Sequence, residues 1–178
     1  ASLFNAIKNI DLRKYDSLVL GPGIGIDNHD WQKVEDYLIG FEGLLILDAD
    51  ALNRISESKL GTKFFLERKF QTWITPHNKE FFRLFPHIKS KTNVGLALTA
   101  AEEFNISVLL KGANSIVADN KKAWQLYGTD SQTARAGLGD LLSGFVAGSS
   151  AIDLTLCRNI KTEFFAKYVL LHSFAASK

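Results

Sequence analysis

The chain has 178 residues, of which 46% are hydrophobic and 22% are charged, and its formal net charge is +2. This composition is typical of one globular domain with a sizeable core. So small a charge, without a run of Lys and Arg, argues against nucleic acid as a partner. No apolar segment reaches transmembrane length and Ala1 does not begin a signal peptide, so we expect a cytoplasmic protein without a membrane partner. The single cysteine, Cys157, excludes a disulfide framework.

Apolar segments that predict strands alternate with helical patterns. The predicted strands cover residues 17–20, 44–48, 71–75, 106–111 and 115–118. The predicted helices include residues 30–39, 94–104 and 162–177. This alternation predicts an α/β fold over residues 1–178, with a mainly parallel sheet flanked by helices on both faces.

Glycine or polar residues stand at the carboxyl ends of four of the predicted strands. They are Gly21 to Gly25, Asp48 with Asp50, Thr75 to His77, and Lys111 with Gly112. Because open α/β sheets bind ligands at the carboxyl ends of their parallel strands, we expect these segments to meet at one ligand-binding edge. Each residue also has a structural interpretation: Asp50 as a helix cap, His77 as a solvated loop residue and Lys111 as part of a surface hairpin.

A glycine-rich turn, Gly-Leu-Gly-Asp at 137–140, enters a helix late in the chain. The start of a helix presents unpaired backbone N–H groups, which attract anions. Asp140 has two interpretations, either the N-cap of this helix or a base toward a hydroxyl held near the anion, and the cap is the commoner arrangement. Gly144 and Gly148 give the helix a small-residue side suited to close packing.

Five motifs together resemble the ADP- or ATP-dependent NAD(P)H-hydrate dehydratases, a family of ribokinase-like fold. Gly-Pro-Gly-Ile-Gly at 21–25 is similar to the family's G-P-G-L-G, and Leu-Asp-Ala-Asp-Ala-Leu-Asn at 47–53 is similar to its L-D-A-D-x-L-N. Thr-Pro-His at 75–77 with Glu80 is similar to T-P-H-x-x-E. Leu-Lys-Gly at 110–112 is similar to L-K-G, and Gly-Leu-Gly-Asp at 137–140 is similar to G-T-G-D. The motifs stand in the family's order over most of residues 17–151. No motif is specific alone, but the set is.

The resemblance implies a three-layer sandwich and the repair of hydrated NADH or NADPH, a small-molecule substrate. ADP or ATP phosphorylates the hydroxyl of the reduced nicotinamide ring, and elimination of phosphate restores the dinucleotide. By resemblance, Asp140 is the catalytic base and a Mg²⁺ ion accompanies the phosphates, with no metal ligand assigned. The implied nucleotide site comprises Lys111, Gly112, Ala113, Asn114, Ser115, Gly137, Leu138 and Gly139. The implied substrate site comprises Gly23, Gly25, Asp50, Asn53, His77 and Asp140.

The chain also departs from the family pattern. Leu138 and Arg135 stand where threonines are usual, and Asn78-Lys79 replaces a common Pro-Gly. The opening part of the family domain, its first strands and helix, is missing. We therefore expect a single ribokinase-like domain that lacks its N-terminal part, with that part carried by another segment or domain of the same protein. The resemblance is also compatible with a homo-oligomer.

Two other interpretations stay open. A ribokinase-like kinase of a small alcohol, such as a vitamin precursor, would share the G-x-G-D motif and stop at the phosphorylated product. A catalytically decayed nucleotide-binding subunit would account for Leu138, Arg135 and the missing opening part. The T-P-H and L-D-A-D motifs favour the dehydratase.

Overall fold

The computed structural model describes residues 3–26, 29–127, 137–157 and 159–176. The strands in these ranges are β1 (Ser17–Leu20), β2 (Leu44–Leu47), β3 (Thr72–Ile74), β4 (Ser107–Leu110), β5 (Ser115–Ala118) and β6 (Ala123–Leu126). The α-helices are α1 (Leu3–Ile7), α2 (Trp31–Ile39), α3 (Ala49–Glu57), α4 (Lys63–Glu67), α5 (Asn78–Leu84), α6 (Asn93–Phe104), α7 (Leu138–Leu156) and α8 (Thr162–Ala176). None of these helices is long and apolar enough to cross a bilayer.

The strands form one sheet in chain order, from β1 to β6. β1 to β4 pair in parallel, whereas β4 and β5, and then β5 and β6, pair antiparallel. The helices between the parallel strands provide the crossovers that parallel pairing requires. The predicted mainly parallel sheet is therefore confirmed, and each predicted strand agrees with the structure to within one residue at either end.

Two elements were not predicted from the sequence, the strand β6 and the short helix α4. β6 reads Ala-Trp-Gln-Leu and is only partly buried. It is a strand because it pairs with β5 in a regular antiparallel register, with Val117 opposite Trp124. Such pairing is a tertiary interaction, and it cannot be predicted from four residues of mixed polarity alone.

Side chains alternate between the two faces of the sheet, and helices cover both faces. In β2, Leu45 and Leu47 contribute to one apolar core and Leu44 contributes to the other. Residues of α2 to α6 fill the first core. Residues of α7 and α8 fill the second, where the rings of Trp73 and Phe165 stack with centroids 4.4 Å apart. The predicted three-layer sandwich is confirmed.

Arg68 is buried at the amino edge of the sheet, where it joins three segments of the chain by hydrogen bonds. Its guanidinium donates to the carbonyl of Leu38, to the carbonyl of Gly43 at 3.2 Å and to Thr72 Oγ1 at 2.9 Å. Burial lowers the pKa of Arg68 to about 10, which leaves the group charged at neutral pH. One side chain thus joins α2, the segment before β2 and the start of β3.

At the carboxyl edge, the backbone that leaves β1 lies directly against the backbone that leaves β2. The amide of Asp48 donates to the carbonyl of Leu20 at 3.1 Å. Gly21 follows with φ of +138°, and a Cβ at this position would lie 1.7 Å from the carbonyl oxygen of Asp48. Only glycine therefore allows the two strand ends to approach this closely.

We predict that Gly21→Ala lowers the free energy of unfolding by at least about 2 kcal/mol, because the new methyl group overlaps a backbone atom. Gly61→Ala is the matched control, since Gly61 also has a positive φ but a Cβ there meets no atom closer than 3.9 Å. The control should lose about 1 kcal/mol, the cost of a left-handed alanine. Equal losses in urea denaturation would contradict the close approach.

Candidate active site

The carboxylate of Asp48 is the point at which three separate elements meet. Its side chain is 2% exposed and forms an ion pair with Lys111, with Nζ of the lysine 2.8 Å from Oδ1. The same oxygen accepts the amide of Ala49 at 2.8 Å, and Oδ2 accepts the hydroxyl of Ser143 at 2.7 Å. Asp48 therefore joins the end of β2 to the end of β4 and to the second turn of α7.

Asp48 reaches this position because it is the N-cap of α3. The next residue, Ala49, has φ of +46°, an uncommon conformation for a residue with a Cβ. Strain of this kind costs of order 1–3 kcal/mol and often accompanies functional sites. The structural interpretation of Asp50 as the helix cap is wrong, because Asp48 occupies the cap and Asp50 lies in the first turn.

Lys111 lies between the end of β4 and the start of α7. Its amide donates to the carbonyl of Pro76 at 2.9 Å, which extends the parallel pairing beyond β3 and β4. A Cβ built on Gly139 would lie 4.0 Å from the Lys111 ammonium nitrogen. The positive charge of Lys111 is therefore next to the positive end of a helix dipole.

The other residues of the implied nucleotide site form the link from β4 to β5. Gly112, Ala113 and Asn114 are exposed. Ser115 is buried and its hydroxyl donates to the carbonyl of Gly112 at 3.3 Å. This hydrogen bond closes a compact loop directly after Lys111, at the same edge of the sheet.

The helix α7 begins at Leu138, and Gly137 is its N-cap with φ of +89° and no side-chain hydrogen bond. The interpretation of Asp140 as the N-cap is therefore wrong: it is the third residue of the helix, and it is exposed. Among the described residues, no side chain caps the first amides of α7, which is where an anion can bind. The departure at Arg135 lies outside the described residues.

A second network holds the loop that follows β1. The amide of Gly25 donates to Oδ2 of Asp50 at 2.9 Å. The guanidinium of Arg54 donates to the carbonyl of Gly25 at 2.7 Å and to that of Ile24 at 2.9 Å. All three are charge-assisted hydrogen bonds, so Asp50 and Arg54 fix the loop in which Gly23 and Gly25 are exposed.

His77 is the N-cap of α5 and is not merely a solvated loop residue. Its Nδ1 accepts the amides of Lys79 at 3.1 Å and Glu80 at 3.3 Å, and Glu80 accepts the amide of His77 at 2.8 Å in return. This capping box fixes the ring and leaves Nε2 on the half-exposed side, 3.5 Å from a Glu80 oxygen. Nearby, Asn53 accepts a hydrogen bond from Arg83 of α5.

The structure brings Lys111, Gly139 and the backbone beside His77 to one edge, as expected for strand ends. Sequence reasoning missed Ser143 and Arg54, which hold this edge together. Ser143 follows Asp140 by three residues, a spacing that places both on one side of a helix. No comparable signal marks Arg54.

Among the described residues, no group of three or more His, Cys, Asp and Glu side chains could hold a metal ion. Mg²⁺ is often bound mainly by substrate phosphates and water, with only one or two carboxylates. Asp140 is an exposed carboxylate beside the anion-attracting turn of α7. The edge therefore fits a magnesium ion that arrives with a phosphorylated ligand.

A lysine beside an open helix N-terminus, at the carboxyl ends of parallel strands, is typical of α/β proteins that bind phosphate groups. A ribokinase-like superfamily protein from Enterococcus faecalis superposes with a TM-score of 0.64 at 18% identity, over 93% of this chain and 65% of that protein. The ADP/ATP-dependent NAD(P)H-hydrate dehydratase from Bacillus subtilis superposes with a TM-score of 0.62 at 24% identity, over 89% and 52%. The fold is therefore ribokinase-like.

The chain belongs to the NAD(P)H-hydrate dehydratase family, because the model of that family matches residues 2–176. The bifunctional NAD(P)H-hydrate repair enzyme Nnr of Synechocystis sp. is 36% identical over 141 residues. That match covers 79% of this chain and 26% of the relative. The chain thus spans about a quarter of the length of this relative.

We predict that Lys111→Ala lowers the free energy of unfolding by about 1–3 kcal/mol, because Asp48 is left buried without its counter-charge. The double variant Asp48→Asn/Lys111→Ala removes that unpaired charge and should be more stable than the single variant. Urea denaturation of both proteins measures the difference. A Lys111→Ala protein as stable as the parent would show that Asp48 does not depend on the lysine.

Proposed function

We propose that the protein is an ADP- or ATP-dependent NAD(P)H-hydrate dehydratase, which returns hydrated NADH or NADPH to the intact dinucleotide. The observation that carries the proposal is the position of the Lys111 ammonium against Gly139 in the first turn of α7. The ammonium group and the positive end of the α7 dipole together suit the phosphates of a nucleotide. Family membership and the Bacillus subtilis dehydratase, which was co-crystallized with ATP and Mg²⁺, support the same substrate class.

In the proposed first step, the ring hydroxyl of the hydrate attacks the terminal phosphorus of the nucleotide. A new O–P bond forms, the bridging P–O bond breaks, and the shortened nucleotide leaves with that electron pair. Asp140 accepts the hydroxyl proton as general base. Lys111 and the amides at 137–139 stabilise the charge that spreads over the phosphoryl oxygens.

In the proposed second step, the C–O bond to the new phosphate group breaks and phosphate leaves with the electron pair. The lone pair of the ring nitrogen assists this departure, and loss of a proton from the neighbouring carbon restores the double bond. Net, one water is removed and one phosphoryl group is transferred to its oxygen. A bound Mg²⁺ ion would neutralise part of the phosphate charge.

The nucleotide and the hydrate are assigned to adjacent parts of the edge. We place the nucleotide on the loop from Lys111 to Ser115 and on the turn at 137–139. We place the hydrate against Gly23, Gly25 and His77, the last through Nε2. Asp50 positions this pocket by accepting a hydrogen bond from the amide of Gly25. Asn53 positions it by accepting a hydrogen bond from Arg83 of α5.

Leu138 removes a hydroxyl that the family pattern supplies. Its backbone amide lies in the first turn of α7 and can still meet a phosphate oxygen. The residue is half-buried, so its side chain packs rather than points into solvent. We infer that the turn binds phosphate through its backbone and does not require the threonine.

We also propose that residues 1–178 form part of a larger cytoplasmic protein whose remaining segments complete the domain. The relatives named bifunctional repair enzymes are about four times as long as the matched region, which supports this proposal. In the described part of the chain, the outer edge of β1 pairs with no strand, so a further strand has room to join there.

One assay separates the proposed activity from its alternatives. The complete protein is mixed with hydrated NADH and ADP or ATP, and the near-ultraviolet absorbance of NADH is followed. A dehydratase restores the absorbance and releases phosphate, whereas a kinase of another alcohol consumes nucleotide only with that alcohol. A decayed subunit shows a nucleotide-dependent thermal shift without turnover, which would contradict the proposal.

In this assay we predict that Asp140→Asn turns over at least about a hundred-fold more slowly, because the amide cannot accept the hydroxyl proton. Its melting temperature should stay near that of the parent, since the residue is exposed and is not the N-cap. Asp119→Asn is the matched control, because Asp119 only accepts backbone amides in the turn from β5 to β6. The control should turn over at the rate of the parent. Parental turnover by Asp140→Asn would rule out the mechanism.

We predict that His77→Asn raises the Michaelis constant for hydrated dinucleotide roughly tenfold, the cost of one lost hydrogen bond. Asparagine is a good N-cap, so α5 should keep its start and the melting temperature should not change. The Michaelis constant for ADP or ATP should also stay the same. A variant that melts earlier and binds both substrates normally would reduce His77 to a structural cap.

A further inference from the structure

A cavity of about 590 Å³ lies at the amino edge of the sheet, the edge opposite the candidate active site. Its walls are the segments that enter β3 and β4, the turn from β5 to β6, and the start of α8. This volume is typical of pockets that hold metabolite-sized ligands. β2 separates these walls from the outer edge of β1, so segments that extend the sheet beyond β1 would leave the cavity open.

Hydrogen bonds between distant parts of the chain hold the walls of the cavity in place. The side-chain amide of Gln71 donates to the carbonyl of Ile160 at 2.7 Å and accepts the amide of Ile160 at 3.3 Å. The hydroxyls of Ser107 and Thr162 share a hydrogen bond of 2.8 Å. All four residues line the cavity. The start of α8 is therefore tied to the amino ends of β3 and β4, and the cavity exists before a ligand enters it.

Positive charge is in excess around the cavity. Among the described residues, the charged side chains that line it are two acids, Asp119 and Glu163, and four lysines, Lys69, Lys121, Lys122 and Lys161. Asp119 already accepts the amides of Lys121 and Lys122, each at 2.8 Å, within its own turn. The start of α8 adds the unpaired backbone amides and the positive end of a helix dipole. This combination attracts anions, and it suits phosphate groups in particular.

The indole N–H of Trp73 is a buried donor that lacks an acceptor. Trp73 lines the cavity and is 1% exposed, and its Nε1 has no hydrogen-bond partner among the described residues. The indole ring stacks flat on the ring of Phe165 in α8, with 5° between the two planes. Because the N–H lies in the plane of the indole, it is directed along the gap between the sheet and α8 and not at Phe165. An acceptor that enters the cavity would satisfy this donor.

We propose that the amino-edge cavity is a second binding site, and that its ligand is a small phosphorylated metabolite. The phosphate oxygens accept hydrogen bonds from the indole of Trp73, from the first amides of α8 and from the ammonium group of Lys161, the residue before α8. Trp124 is half-buried in the wall and offers an aromatic ring to the remainder of the ligand. The inference concerns a separate site and does not rest on the proposed reaction.

The three tryptophans of the chain allow a test by NMR spectroscopy of the complete protein labelled with ¹⁵N. Trp73 and Trp124 line the cavity, whereas Trp31 lies at the carboxyl edge, with its ring 5.1 Å from the guanidinium of Arg54. Pyrophosphate is the probe, and the ionic strength is kept constant. The indole signals of Trp73 and Trp124 should shift along one saturating curve, while that of Trp31 stays in place. The Trp73 proton should move downfield, because it gains a charged acceptor.

Each indole signal is assigned by its loss when that tryptophan is replaced by phenylalanine. If Trp73→Phe does not fold, Phe165→Leu assigns the Trp73 signal instead, because it removes the ring current of the stacked phenyl group.

Lys161→Gln should raise the dissociation constant of pyrophosphate roughly tenfold, because one charge-assisted hydrogen bond is lost. The constant is read from the Trp73 signal. Lys63→Gln is the matched control, since Lys63 is an exposed lysine on α4 in the opposite helical layer, and it should leave the constant unchanged.

Two results would overturn the proposal. The signals of Trp73 and Trp124 could stay in place up to millimolar pyrophosphate, which would mean that the cavity binds no phosphate group. Alternatively, the Trp73 shift could give the same dissociation constant in Lys161→Gln as in the parent, which would place the bound anion elsewhere on the protein.

Discussion

The buried carboxylate of Asp48 is the interaction on which the rest of the candidate site depends. A charged group that is almost fully removed from water is destabilising unless its partners replace the lost hydration. Here the partners are the ammonium group of the residue after β4, a backbone amide of α3 and a hydroxyl of α7. The chain cannot satisfy Asp48 without also placing Lys111 beside α7, so folding itself assembles the edge at which we propose that the nucleotide binds.

The order of strands and helices could be predicted because it depends on local patterns. Continuous apolar runs mark strands that are buried on both faces, and β2 is the clearest example, with four consecutive buried residues. The position of the site could be predicted for the same reason, since polar residues that directly follow parallel strands must share an edge. β6 lacked such a pattern and owes its conformation to its neighbour.

The roles of individual residues within the edge could not be predicted, because contacts between distant parts of the chain decide them. Ser143 and Asp48 are 95 residues apart, and Arg54 lies about 30 residues from the loop that it holds. Asp140 was expected to be either a cap or a base, and only the start of α7 at Leu138 removes the cap. Asp50 was expected in the substrate pocket, and its hydrogen bond with the amide of Gly25 had no local signal in the sequence.

The left-handed backbone of Ala49 constrains how the sequence at this strand end can vary. Glycine, asparagine and aspartate adopt φ near +46° at low cost, and alanine tolerates it, whereas valine, isoleucine and threonine do not. Substitutions at position 49 are therefore confined to a few small or polar residues for as long as Asp48 caps α3. A homologue that carries a β-branched residue here would need a different turn between β2 and α3.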